Sequence, residues 1–150
     1  MNDVSSSSGS RKPRLLFVCT GNTCRSVLAE YIARKKFGGH MEVASAGVCP
    51  GSIKDAENAI FTLKSLFNID AINHKPKDVR TVGIDTFDFV VTMSNQVASQ
   101  VREIFPDLPV ENLVRWKIPD PYGDDLSEYE RCAATINAQL KKLEVLGSRK

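Results

Sequence analysis

The sequence predicts an α/β fold of three layers, α/β/α, in which a four-stranded parallel sheet carries helices on both faces and the most unusual loop of the chain follows strand one. Three observations predict it. Short, mainly apolar runs, such as Leu15-Leu16-Phe17-Val18 and Phe87 to Met93, have the length and composition of buried strands. The segments between the apolar runs carry apolar residues at helical spacing, and alternating strands and helices pack as a parallel sheet with helices against it. The chain has 150 residues, 42% hydrophobic and 25% charged, the balance of one globular domain with its own core.

Residues 1–13 are Ser-rich, polar and without periodicity, so they are expected to form a flexible tail, with residues 14–150 as a single domain. Strand one ends at Cys19. From Ser26 to Phe37, Val27, Leu28, Tyr31, Ile32 and Lys35 recur at helical spacing, and Gly38-Gly39 stands where a helix C-cap belongs. Met41 to Ala44 reads as the second strand. The second helix is expected over Asp55 to Phe67, with Ala56, Ala59, Ile60, Leu63 and Phe67 on one face. Phe87 to Met93 is the third strand, and Asn95 to Phe105 an amphipathic helix closed by Pro106. Leu113 to Trp116 supplies a short fourth strand. The last helix is expected to begin near Ser127, in a capping box Ser127-Glu128-Tyr129-Glu130, and to bury Tyr129, Cys132, Ile136, Leu140 and Leu143.

Charge excludes some partners. The net charge is +2 with the basic residues scattered, so neither a nucleic acid nor a membrane surface is expected as a partner. No apolar stretch approaches the roughly 20 residues of a membrane span, and the N-terminus lacks the apolar centre of a secretion signal, so the cytoplasm is the expected compartment. Two of the four cysteines flank a Gly-Asn loop, where a reactive thiol fits better than a structural disulfide. No His, Cys and carboxylate cluster has zinc spacing, so neither metal nor cofactor is expected.

The loop Cys19-Thr20-Gly21-Asn22-Thr23-Cys24-Arg25-Ser26 runs from a strand end into a helix start. Its successive N–H groups can curl inward as a nest for an anion, and Gly21 and Asn22 tolerate the positive φ this requires. Arg25 can grip two oxygens of a phosphate with its planar guanidinium. A helix N-terminus and a cation both favour the thiolate of Cys19, and the Ser26 hydroxyl can donate to its sulfur. This is a nucleophile set in a phosphate cradle; the Gly-Lys-Ser/Thr ending of a nucleotide-binding loop is absent.

Val18 to Ser26 with Ala29-Glu30 resembles the signature of the low-molecular-weight protein tyrosine phosphatases. Ser45-Ala46-Gly47, His74, the strand ending at Met93 and Asp120-Pro121-Tyr122-Gly123 follow in that family's order. The resemblance implies phosphotyrosine hydrolysis through a phosphocysteine on Cys19, with a phosphorylated protein as partner and inorganic phosphate as product. It implies that Asp120 is the general acid, then base; Pro121 restricts its backbone to extended conformations. Thr20 to Ser26 then bind phosphate, and Tyr122 can stack on an aromatic substrate. Asn22, Ser26, Ser45 and His74 match the family's supporting hydrogen-bond network, and Cys24 matches a second loop cysteine that forms a reversible disulfide with the nucleophile.

Val27 replaces the usual proline, which removes a rigid start to the helix but leaves every catalytic group in place. Two departures bear on substrate. Thr23 stands where the tyrosine phosphatases usually carry isoleucine and the protein arginine phosphatase branch carries threonine. Gly123 also replaces a second tyrosine, thinning the aromatic wall. Phosphoarginine is therefore the alternative substrate. Thiol-dependent arsenate reduction needs further redox cysteines, and residues 70–92 contain none. An inactive phosphate-binding module is disfavoured because Cys19, Arg25 and Asp120 are all present.

Overall fold

The computed structural model describes residues 11–148, with side chains through Leu143. The strands are β1 (Arg14–Cys19), β2 (Glu42–Gly47), β3 (Phe89–Thr92) and β4 (Leu113–Arg115). The long helices are α1 (Arg25–Phe37), α2 (Glu57–Phe67), α3 (Asn95–Ile104) and α4 (Leu126–Ser148). All strand pairs are parallel and the sheet order is β2-β1-β3-β4, so β1 is central.

Alternation along β1 divides the core in two. Leu15, Phe17 and Cys19 face a cluster formed with α1, α2 and α4, whereas Leu16 and Val18 face a second cluster with Val97 and Val101 of α3. Helices thus cover both faces, three on one and α3 on the other. Because β1 is buried on both sides, its register is fixed, and with it the position at which Cys19 leaves the sheet.

The structure moves several expected boundaries. Strand β2 runs to Gly47 instead of Ala44, because Ser45, Ala46 and Gly47 pair with Phe17, Val18 and Cys19. The segment expected to open α2 is a 3-10 turn, Ile53–Ala56, capped reciprocally by Ser52 and Asp55. The cap of α4 is Asp125, not Ser127: its Oδ1 accepts from the Glu128 N–H at 3.3 Å and from the Ser127 hydroxyl at 2.6 Å. Most of the expected tail lies outside the described residues, but its last part is engaged. Arg11 pairs with Asp88 at 2.8 Å, and the Pro13 carbonyl accepts from the Glu42 N–H. Among the described residues no helix is long and apolar enough to cross a membrane.

Candidate active site

The loop after β1 is held on two sides. On one side, the segment following β2 continues the parallel pairing past the strand ends: the N–H groups of Val48, Cys49 and Gly51 donate to the carbonyls of Cys19, Thr20 and Gly21. A side chain at Gly47 would put its Cβ 2.7 Å from the Thr20 carbonyl oxygen and 2.9 Å from the Asn22 nitrogen, so this close approach requires glycine. On the other side the loop enters α1, whose N-terminus directs its unpaired N–H groups at the same space.

Asn22 is the hub beneath the loop. It is fully buried and has a φ of 57°, a left-handed conformation that surrounding bonds must hold. Its Nδ2 donates to Ser26 Oγ at 2.9 Å and to Ser45 Oγ at 2.8 Å, and its Oδ1 accepts from the Lys77 N–H at 2.9 Å. Its carbonyl accepts from His74 Nε2 at 3.0 Å.

The direction of each proton follows from the ends of this network. The Glu30 carboxylate can only accept, so Ser45 donates its hydroxyl proton to it. Both Nδ2 protons of Asn22 are spent on the two serines, leaving the Ser26 proton for Cys19 Sγ, 2.8 Å away. The Asn22 N–H is a second donor to that sulfur, at 3.3 Å. Two donors thus converge on the one sulfur. His74 must carry its proton on Nε2 to serve the Asn22 carbonyl, which leaves Nδ1 to accept from the Tyr31 hydroxyl at 3.5 Å. Burial pushes the His74 pKa below its ordinary value, as a neutral ring in this role requires.

Arg25 is 5% exposed. One of its terminal nitrogens donates to the Ile118 carbonyl at 3.2 Å and the other lies 3.6 Å from Asp120 Oδ2. Its Nε is buried with no hydrogen-bond partner among the described residues, an unusual state for a guanidinium nitrogen and a fitting one for a group that receives an oxyanion.

Above this floor is a cleft of about 200 Å³. Of the residues singled out in the sequence, Cys19, Thr20, Gly21, Thr23, Cys24, Arg25, Asp120 and Tyr122 line it, while Asn22, Ser26, Ser45 and His74 lie outside the lining. Cys24 turns its sulfur to the Tyr129 hydroxyl at 3.2 Å, and burial pushes its thiol up to about 11. Asp120 and Tyr122 are exposed at the mouth.

Four residues here escaped the sequence reading of the site. Glu30 anchors the network and pairs with Arg34 at 2.5 Å; Ser26, Glu30 and Arg34 sit at i, i+4 and i+8 on α1, a spacing that could have flagged it. Gly47, like Glu30, was noted only within a motif. Gly51 and Asp55 line the cleft, and Asp55 accepts from the Tyr122 hydroxyl at 3.1 Å. Nothing local in the sequence announces that bond.

Comparison with known proteins places this geometry. A family model described as low molecular weight phosphotyrosine protein phosphatase matches residues 14–148. Among solved structures, a low molecular weight protein tyrosine phosphatase from T. tengcongensis is 30% identical, with a TM-score of 0.80 over 88% of this chain and 97% of the other. The YwlE arginine phosphatase from Geobacillus stearothermophilus is 28% identical, with a TM-score of 0.81 over 91% and 94% of the two chains. Among curated relatives, an arsenate reductase of Bacillus cereus (strain AH187) is 32% identical over 136 residues, 91% of this chain and 97% of the relative.

Proposed function

The chain belongs to the low molecular weight phosphotyrosine protein phosphatase family of cysteine-based, metal-independent hydrolases, and from that premise we propose that it hydrolyses phosphotyrosine in proteins through a phosphocysteine on Cys19. The observation that carries this reading is the Cys19 sulfur, which receives the Ser26 hydroxyl and the Asn22 N–H at the floor of a cleft that also holds Arg25 and Asp120.

In the first step the Cys19 thiolate forms an S–P bond as the P–O bond to the substrate breaks, and Asp120 gives its proton to the departing oxygen. In the second, Asp120 takes a proton from water, the water oxygen bonds to phosphorus, and the S–P bond breaks to release inorganic phosphate and the thiolate. Arg25 and the N–H groups of residues 20–25 hold the non-bridging oxygens throughout. Cys24 serves as the reversible disulfide partner when peroxide oxidises Cys19, its buried thiol being held in reserve beside Tyr129. A reducing compartment such as the cytoplasm suits a site that runs on a free thiolate, and all four cysteines are free.

Tyr122 supports an aromatic substrate: its ring stands at the mouth, tethered by its hydroxyl to Asp55. A second reading, phosphoarginine, is favoured by Thr23, which is 6% exposed and occupies the slot beside Gly51 where a larger aliphatic side chain would line a phenyl pocket. The carboxylates of Asp55 and Asp120 in the same cleft also suit a guanidinium. Arsenate reduction has the weakest support. Outside the loop, Cys132 is buried with its thiol pushed up to about 12, and Cys49 is the exposed cysteine.

The deciding experiment compares turnover of a phosphotyrosine peptide and a phosphoarginine peptide by wild type and Thr23→Ile under reducing conditions. Preference for phosphotyrosine in both proteins is the expected result. Preference for phosphoarginine that is lost in Thr23→Ile would replace it with the second reading, and turnover of neither, with thiol-coupled loss of arsenate, would assign the reductase.

A further inference from the structure

The stretch 119–124 carries Asp120 between β4 and α4 without regular structure. Among the described residues, two polar side-chain contacts tie it to the opposite wall of the cleft: Asp120 with Arg25 at 3.6 Å, and Tyr122 with Asp55 at 3.1 Å. The first is long, and it competes with any phosphate that Arg25 grips. The second involves neither Arg25 nor the loop amides, so a phosphate in the cradle does not compete for it.

Asp55 is well placed to anchor that tie. Its Oδ2 accepts both the N–H and the hydroxyl of Ser52 at 3.1 Å, so the carboxylate has little freedom and presents Oδ1 across the mouth. It sits on the 3-10 turn whose approach is fixed to the loop, since the Gly51 N–H donates to the Gly21 carbonyl at 2.9 Å. From Tyr122 the link continues to Asp120: the Tyr122 N–H donates to Asp120 Oδ1 at 3.1 Å.

We propose that Asp55 is a positioning residue for the general acid: anchored by Ser52, it holds Tyr122 across the mouth of the cleft, and Tyr122 in turn aims the Asp120 carboxyl at the leaving group. The inference rests on the reading of Asp120 as the acid. It makes the segment after β2 part of the apparatus that delivers the proton, although its bond to Tyr122 crosses 67 residues of sequence.

The test uses a series of aryl phosphates whose leaving groups range from nitrophenol, which departs unaided, to phenol, which needs a proton. In Asp55→Ala, kcat/KM, which reports the step in which the leaving group departs, should fall about tenfold for the phenol ester and by less than about twofold for the nitrophenol ester, as expected when an acid is misaimed but not removed. Tyr122→Phe, which deletes the same bond from the other end, should reproduce this slope, and Asp55→Asn, which keeps an acceptor oxygen, should recover most of the loss. In an Asp120→Ala background, Asp55→Ala should cost nothing further. Equal loss for all leaving groups, or an undiminished loss in that background, would overturn the proposal while leaving the phosphatase reading intact. A readout independent of turnover is hydrogen exchange of the Tyr122 amide. It should quicken in Asp55→Ala, and an unchanged rate would remove the tie even if the wild type proved to hydrolyse no phosphate ester.

Discussion

The floor and the rim of the cleft are built on opposite principles. On the floor, Asn22, Ser26 and Ser45 are fully buried and His74 is 3% exposed, and the polar side-chain atoms of these four have partners whose donor or acceptor roles are forced by the next. At the rim, the Asp120 side chain is 47% exposed and Tyr122 as a residue 56%, and each is tied across the cleft by a single contact, to the buried Arg25 and the half-buried Asp55. The difference follows from what each must do. A phosphoryl group presents the same tetrahedron in every substrate, so its cradle gains from rigidity that costs no reorganisation during reaction. A leaving group varies with the substrate, so the group that protonates it sits where exchange with solvent and small movements are cheap.

The largest expected effect tests the floor. Replacing Cys19 with serine keeps a small oxygen in the position that receives the Ser26 and Asn22 donors but removes the nucleophile. Turnover of any aryl phosphate should fall by on the order of 10⁴-fold or more, while inorganic phosphate still binds, as measured by calorimetry. Surviving turnover would mean that the floor holds phosphate without attacking it.

A smaller and more selective effect tests the rim. Asp120→Ala should lower kcat/KM, which reports the step that expels the leaving group, by about 10² to 10³ for a phenolic leaving group and far less for nitrophenol. A uniform loss across leaving groups would place Asp120 with the floor, acting on the phosphoryl group and not on what departs, and would erase the proposed division of labour.

The same division governs how much could be read from sequence. The loop from Cys19 to Ser26 was legible because its function lies in contiguous residues: a strand end, a curl with tolerant residue types, a cation and a helix start. The three-layer fold was legible because β1 and β3 are short apolar runs and α3 has an apolar face. Ser45 and His74 could be named only through the family resemblance, since their contacts with Asn22 cross 23 and 52 residues. Strand β2 was cut short at Ala44 because Ser45 and Gly47 look like loop residues, whereas small residues there let the neighbouring loop approach. Asp55 could not be singled out at all. A lone acid before Ala56 is an ordinary helix-entry residue, and that is part of its role here; its bond to Tyr122 exists only once the chain has folded.

The smallest expected effect concerns His74, which supports the floor from its edge, and it is read in stability. Its pKa in the folded protein is lowered chiefly by burial, so between the ordinary histidine value near 6.5 and the lowered one the unfolded chain binds a proton that the folded chain does not. Stability must therefore fall as pH drops below about 6.5, and the loss levels off once pH is below both values. Carboxylates held below their usual range, such as Asp78, lose their contribution only in more acidic solution, so the two effects separate along the pH axis. His74→Gln removes the titration while offering an amide donor to the Asn22 carbonyl. Urea midpoints measured from pH 7.5 to 5 should decline in wild type and decline less in His74→Gln. Equal slopes would show that the ring takes up its proton without leaving its place, and that the floor is less closed to solvent than its buried network implies.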